Sequence, residues 1–94
     1  MQGGWVCILT NKPRGTLYTG VTADLERRLA EHRSGAGSAF VRRYNLHCLV
    51  FAEHHASIEH AIQRETSLKR WLREWKIDLI ETVNPEWRDL SRGF

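Results

Sequence analysis

Four side chains in this sequence have the chemistry to act on a phosphate ester. Tyr18, Arg28 and His32 lie in the stretch YTGVTADLERRLAEH, and Glu65 lies in QRETSLKRW. Hydrolysis of a phosphodiester needs an oriented water, charge neutralisation on the phosphate and stabilisation of the leaving oxygen. A tyrosine hydroxyl can orient a water or take its proton. A guanidinium can clamp a phosphate through two parallel hydrogen bonds. An imidazole can relay a proton near neutral pH. A single carboxylate, with water and substrate phosphate, is a normal way to hold magnesium.

Periodicity makes these residues conspicuous. At about 100° per residue, Leu25, Arg28, Leu29 and His32 share one arc of a helix, whereas Arg27 points nearly opposite. Arg28 is thereby turned toward the core side. A guanidinium there is paired, snorkels to the rim, or awaits an anion. His32 reads either as a satisfied boundary histidine or as a proton carrier. Glu65 falls near the centre of the apolar stripe Ile58, Ala61, Ile62, Leu68 and Leu72. It is either a metal ligand or the partner of Lys69 in an i,i+4 ion pair.

The elements that position these groups follow in order. WVCILT (5–10) and TLYTGV (16–21) are short runs of β-formers joined by the turn residues NKPRG, which predicts a β-hairpin. Thr22 is the predicted cap of a helix over about 23–33, ended by the glycines of SGAGS (34–38). AFVRRY (39–44) reads as a short helical turn or ordered loop, and LHCLVFAE (46–53) as a third strand. Ser57 is the predicted cap of the longest helix, about 58–72. A further helix runs from about Trp75 to Val83, stopped at Asn84 by Pro85. NPEWRDL packs back through Trp87 and Leu90, Trp71 and Trp75 read as packing residues, and SRGF as a frayed end. The order β-β-α-β-α-α predicts an α+β class, a three-stranded antiparallel sheet flanked by helices.

Ninety-four residues, 41% of them hydrophobic, are enough for one core, and residues 1–94 are read as a single domain. No apolar run approaches the ~18 residues of a membrane span. Without a basic region and cleavage pattern at the N-terminus, a cytoplasmic protein is expected, with Cys7 and Cys48 as free thiols and no zinc site. The net charge of +3 is mild, but its distribution is not. Arg27, Arg28, Arg33, Arg42 and Arg43 cluster early, and Lys69, Arg70, Arg73 and Lys76 cluster later. Arg42, Arg43 and Tyr44 are candidates to hold a phosphate and stack on a base, the alternative being a solvated loop. Lys69 is a further nucleic-acid candidate.

These motifs together resemble the GIY-YIG endonuclease domain, in particular its small stand-alone bacterial members. Tyr18-Thr19-Gly20 stands for the YIG element. VTADLERRLAEH carries the family's arginine and histidine as Arg28 and His32, Glu65 matches the metal-binding glutamate, and Asn84 in NPEW matches a late asparagine. The GIY element aligns with Trp5-Val6-Cys7, so Cys7 stands where that family has tyrosine. The resemblance implies a site on the sheet face bearing Tyr18, rimmed by Arg28, His32 and Glu65, with Cys7, Gly20 and Asn84 in support. It also implies one Mg2+ (or Mn2+) ion and hydrolysis of DNA, branched or flapped substrates included, in repair or processing. The substituted tyrosine opens an alternative, a catalytically weakened nucleic-acid-binding module. A third reading is an interaction protein whose polar intrusions are merely paired.

Overall fold

The computed structural model describes residues 3–35 and 39–93. Three antiparallel strands are arranged with β1 (Gly4–Thr10) in the centre, β2 (Leu17–Thr22) on one side and β3 (Cys48–His55) on the other. Helices α1 (Leu25–Arg33) and α2 (Ala39–Tyr44) precede β3, and α3 (Ile58–Arg70) and α4 (Arg73–Val83) follow it. The predicted α+β class, a three-stranded antiparallel sheet flanked by helices, is therefore observed.

Alternation along β1 divides the core in two. Cys7 and Leu9 point to one face and pack with Leu25 and Leu29 of α1, Val41 of α2, Leu46 and Leu49. Val6 and Ile8 point to the other. There Val6 meets Ala61 and Leu68 of α3, while Ile8 meets Val50, Phe51, Ile77, Ile80 and Trp87. The sheet is thus sandwiched, α1 and α2 on one face and α3 and α4 on the other. The β1–β3 register shifts between Ile8, opposite Phe51, and Leu9, opposite Leu49. Val50 is the extra residue of this bulge.

Several expectations are corrected. Asp24, not Thr22, caps α1: its side chain accepts from the Arg27 N–H at 3.1 Å. Thr22 instead closes a local turn, its hydroxyl bonded to the backbone N–H and C=O of Asp24. Ser57 caps α3 as expected. The stripe of α3 is narrower than the sequence suggested. Ile62 is 47% exposed, and Leu72 lies beyond the helix at 62% exposure. Trp87 is buried, but Trp75 is 53% exposed and only edges Trp71. The C-terminus is not frayed through Gly93: Leu90–Gly93 form a 3-10 turn whose Ser91 is buried, with its N–H on Asp89 Oδ1. Phe94 and residues 36–38 of the SGAGS stop lie outside the described residues, although Gly35 does adopt the left-handed φ of 83° that ends a helix.

Candidate active site

The site is organised around the β1–β2 ribbon. Cys7 pairs across it with Gly20. Two residues earlier on β2, Tyr18 projects to the same side as Gly20 and lies against it. A Cβ at position 20 would stand 3.2 Å from Tyr18 Cε1 and 3.8 Å from Cys7 Sγ. Only glycine lets the phenol lie flat along the strand toward Cys7 without displacement.

Arg28 enters from α1. Its guanidinium is about one-third exposed, 3.5 Å from the carbonyl of Val21 and 4.0 Å from Glu31. Both contacts are long, so neither consumes the fork as a short bidentate pair would.

Glu65 enters from α3, on the opposite face of the sheet. Its side chain is 13% exposed and Oε2 meets Lys69 Nζ at 2.8 Å, so the i,i+4 pair expected as one reading exists. Arg64, on the neighbouring flank of α3, binds Glu53 of β3 at 3.0 Å. The 100° step of the helix therefore carries Glu65 toward the β2 side. The resemblance implies a site on one sheet face with all four residues, whereas Glu65 lies on the helix layer opposite the face of Cys7 and α1.

Cys7 is where these groups converge electrostatically. Its buried thiol is pushed up to about 11, first by burial. The Arg28 cation and a backbone bond from Gly20 oppose that, and the Glu65 carboxylate adds to it. Charges of both signs from two helices are thus felt at one buried atom beside Tyr18. At neutral pH the thiol is protonated and cannot serve as a base.

Two expected members are not brought to this point. His32 is 5% exposed, and neither ring nitrogen has a hydrogen-bond partner among the described residues. It faces a cavity of about 10 Å³ lined by Leu9, Leu29, Arg33, Leu46, His47 and Ser91, under the C-terminal turn. Burial, then the Arg28 charge, lowers its pKa. The folded chain therefore refuses a proton that the unfolded chain accepts. This stability is complete above 6.5 and is lost as the pH falls below it. Thermal midpoints measured on acidification should fall more steeply for wild type than for His32→Gln. Parallel slopes would contradict the assignment.

Asn84 is committed to backbone. Its Nδ2 donates to the carbonyls of Val50 at 3.1 Å and Arg88 at 2.9 Å, and its Oδ1 accepts from the Arg88 N–H at 3.0 Å. It braces the bulge of β3 rather than the site. Arg42, Arg43 and Tyr44 are exposed on α2, with the Arg43 guanidinium 5.6 Å from the Tyr44 ring centroid. One neighbour was missed. Phe40 stacks on both Tyr18 and Tyr44. The i,i+4 spacing of Phe40 and Tyr44 was the available signal.

Among the described residues no group of three or more His, Cys, Asp or Glu can cage a metal. The donor set at the site is one carboxylate. That fits an ion completed by water and substrate phosphate, the habit of magnesium.

Comparison with known proteins bears on the family and the fold. The sequence matches the GIY-YIG catalytic domain over residues 3–78. A UPF0213 protein of Staphylococcus haemolyticus is 35% identical over 66 residues, 70% of this chain and 80% of that one. One from Bacillus pumilus is 38% identical over 72 residues, 77% and 74% of the two chains. The solution NMR structure of a UPF0213 protein from Bacillus halodurans superposes with a TM-score of 0.59 at 30% identity, covering 93% of this chain and 92% of that one. The family match spans most of the chain and these relatives are at least 30% identical over most of both chains, so the chain belongs to the GIY-YIG catalytic domain family, a family of nucleases.

Proposed function

We propose that this chain is a divalent-metal-dependent DNA endonuclease working at the Tyr18–Arg28–Glu65 site, with structure-directed action on branched or flapped DNA. Membership of the family implies a nucleic-acid substrate, and divalent-metal dependence is general among GIY-YIG nucleases. DNA, one magnesium or manganese ion and these residue roles are our reading. The observation that carries it is the family match over residues 3–78, supported by an Arg28 guanidinium whose contacts at 3.5 and 4.0 Å are both long and by the Tyr18 ring lying against Gly20.

In this reading Arg28 donates its fork to two oxygens of the scissile phosphate, holding it and stabilising the charge that builds as water attacks. Tyr18 accepts a hydrogen bond from that water and aims it. Glu65 holds the divalent ion, which when bound neutralises charge on the phosphate and the departing oxygen. Lys69 orients the Glu65 carboxylate through their 2.8 Å ion pair. His32 supports the helix beneath Arg28 as a neutral core residue, and Asn84 keeps β3 in place.

A second reading has one observation in its favour. Cys7 offers a buried, protonated thiol where the family has a phenol, so Tyr18 handles the water alone. A nucleic-acid-binding module with weak or no turnover would follow. Purified protein assayed on DNA of several shapes separates the two. Turnover with magnesium supports the first. Binding that weakens as salt rises, with no turnover in magnesium or manganese, would establish the second.

A further inference from the structure

Three aromatic rings form a ladder from the candidate site to the protein surface. Tyr18 and Phe40 have ring centroids 5.7 Å apart and planes inclined by 31°. Phe40 and Tyr44, one helical turn apart on α2, follow at 4.7 Å and 45°. The inward residue of α2 is Val41, which is fully buried, while Phe40 is 42% and Tyr44 41% exposed. Two large rings therefore stack on each other and still keep much of their surface in water.

The charge carried by α2 has one sign. The helix AFVRRY contains two exposed arginines and no acid, and Arg43 lies over the Tyr44 ring at 5.6 Å. Aromatic faces beside arginines match a base with its phosphate. A base inside a duplex is covered on both faces by its neighbours and presents only its edges. An unpaired base has a free face to offer. Continuity with Tyr18 places this surface next to the phosphate that Arg28 would hold.

We propose that α2 is a base seat. An unpaired base of single-stranded DNA, adjoining the scissile phosphate, stacks on the Phe40–Tyr44 rings, with its backbone against Arg42 and Arg43. Phe40 then determines which DNA shapes are used, favouring those that present an unpaired nucleotide at the site. The inference rests on the nuclease reading for the position of the scissile phosphate, but not for the stacking itself.

The stacking can be read without turnover. The full chain carrying Glu65→Ala is titrated into a short DNA oligonucleotide containing one 2-aminopurine, whose fluorescence falls when it stacks on an aromatic ring. Quenching is expected on binding. Phe40→Leu combined with Tyr44→Leu should abolish it and weaken binding about tenfold or more, whereas Tyr44→Phe should keep it. The same oligonucleotide annealed to its complement should bind without the protein-dependent quenching. Quenching that survives the double leucine change, that is equal on fully paired duplex, or that occurs only with an RNA oligonucleotide would overturn the seat. The two readings fail separately. Quenching that depends on Phe40, in a wild-type chain that cleaves no DNA, keeps the seat and removes the nuclease. Cleavage without quenching does the reverse.

Discussion

Replacing Arg28 with alanine is expected to lower the rate of DNA cleavage about a hundred- to a thousandfold, the usual loss when one donor to a transition-state oxyanion is removed. Stability should scarcely change. The guanidinium is about one-third exposed and touches the Val21 carbonyl and Glu31 only at 3.5 and 4.0 Å. Exposed pairs of that quality contribute at most about 1 kcal/mol. Kinetics at saturating DNA and a thermal melt of the same preparation check both halves. Arg28→Lys should recover little, because an ammonium keeps the charge but not the planar fork. A melting point that falls in step with the rate would make Arg28 a structural pair instead.

Asn84→Ala should behave in the opposite way. The Asn84 side chain satisfies the Val50 and Arg88 carbonyls and the Arg88 N–H in a site that is 5% exposed. Removing it leaves the buried Val50 carbonyl and the part-buried N–H and C=O of Arg88 without that partner, at about 1–3 kcal/mol for each buried group. A total of about 3 kcal/mol would lower the midpoint of a domain this size by more than about 10 °C. The protein that remains folded should keep its specific activity and metal response, since Asn84 touches β3 and the residues after α4, not the rim of the site. Loss of specific activity at temperatures where the variant is fully folded would return Asn84 to the catalytic machinery.

These two residues show what the sequence made legible. Arg28 could be picked out from Arg27 because a helix has a fixed angular step, and the structure sets only Arg28 against the core side. The hairpin, the three-stranded antiparallel sheet and Ser57 as a cap followed from equally local rules. Features that depend on distant contacts did not. His32 shares the arc of Arg28, yet one turn further along α1 the partner surface is the C-terminal turn at Ser91. Angular position alone cannot distinguish a rim from a core. Asn84 answers a bulge in β3 that no periodicity announces. Trp75 and Leu72 look like core residues by type, but α3 ends at Arg70 and the corner leaves both exposed. Glu65 was found by its intrusion into a stripe. That its helix lies on the far face of the sheet required the topology.

The Lys69 side chain is more than half exposed, so losing its partner costs little folding energy and Glu65→Ala should melt close to wild type. The most direct measurement is therefore DNA cleavage with and without magnesium by wild type and Glu65→Ala side by side. Magnesium-dependent nicking by wild type, stopped by chelation and absent in a folded Glu65→Ala chain, is the expected result. Cleavage that is indifferent to metal, or that persists in Glu65→Ala, would contradict it.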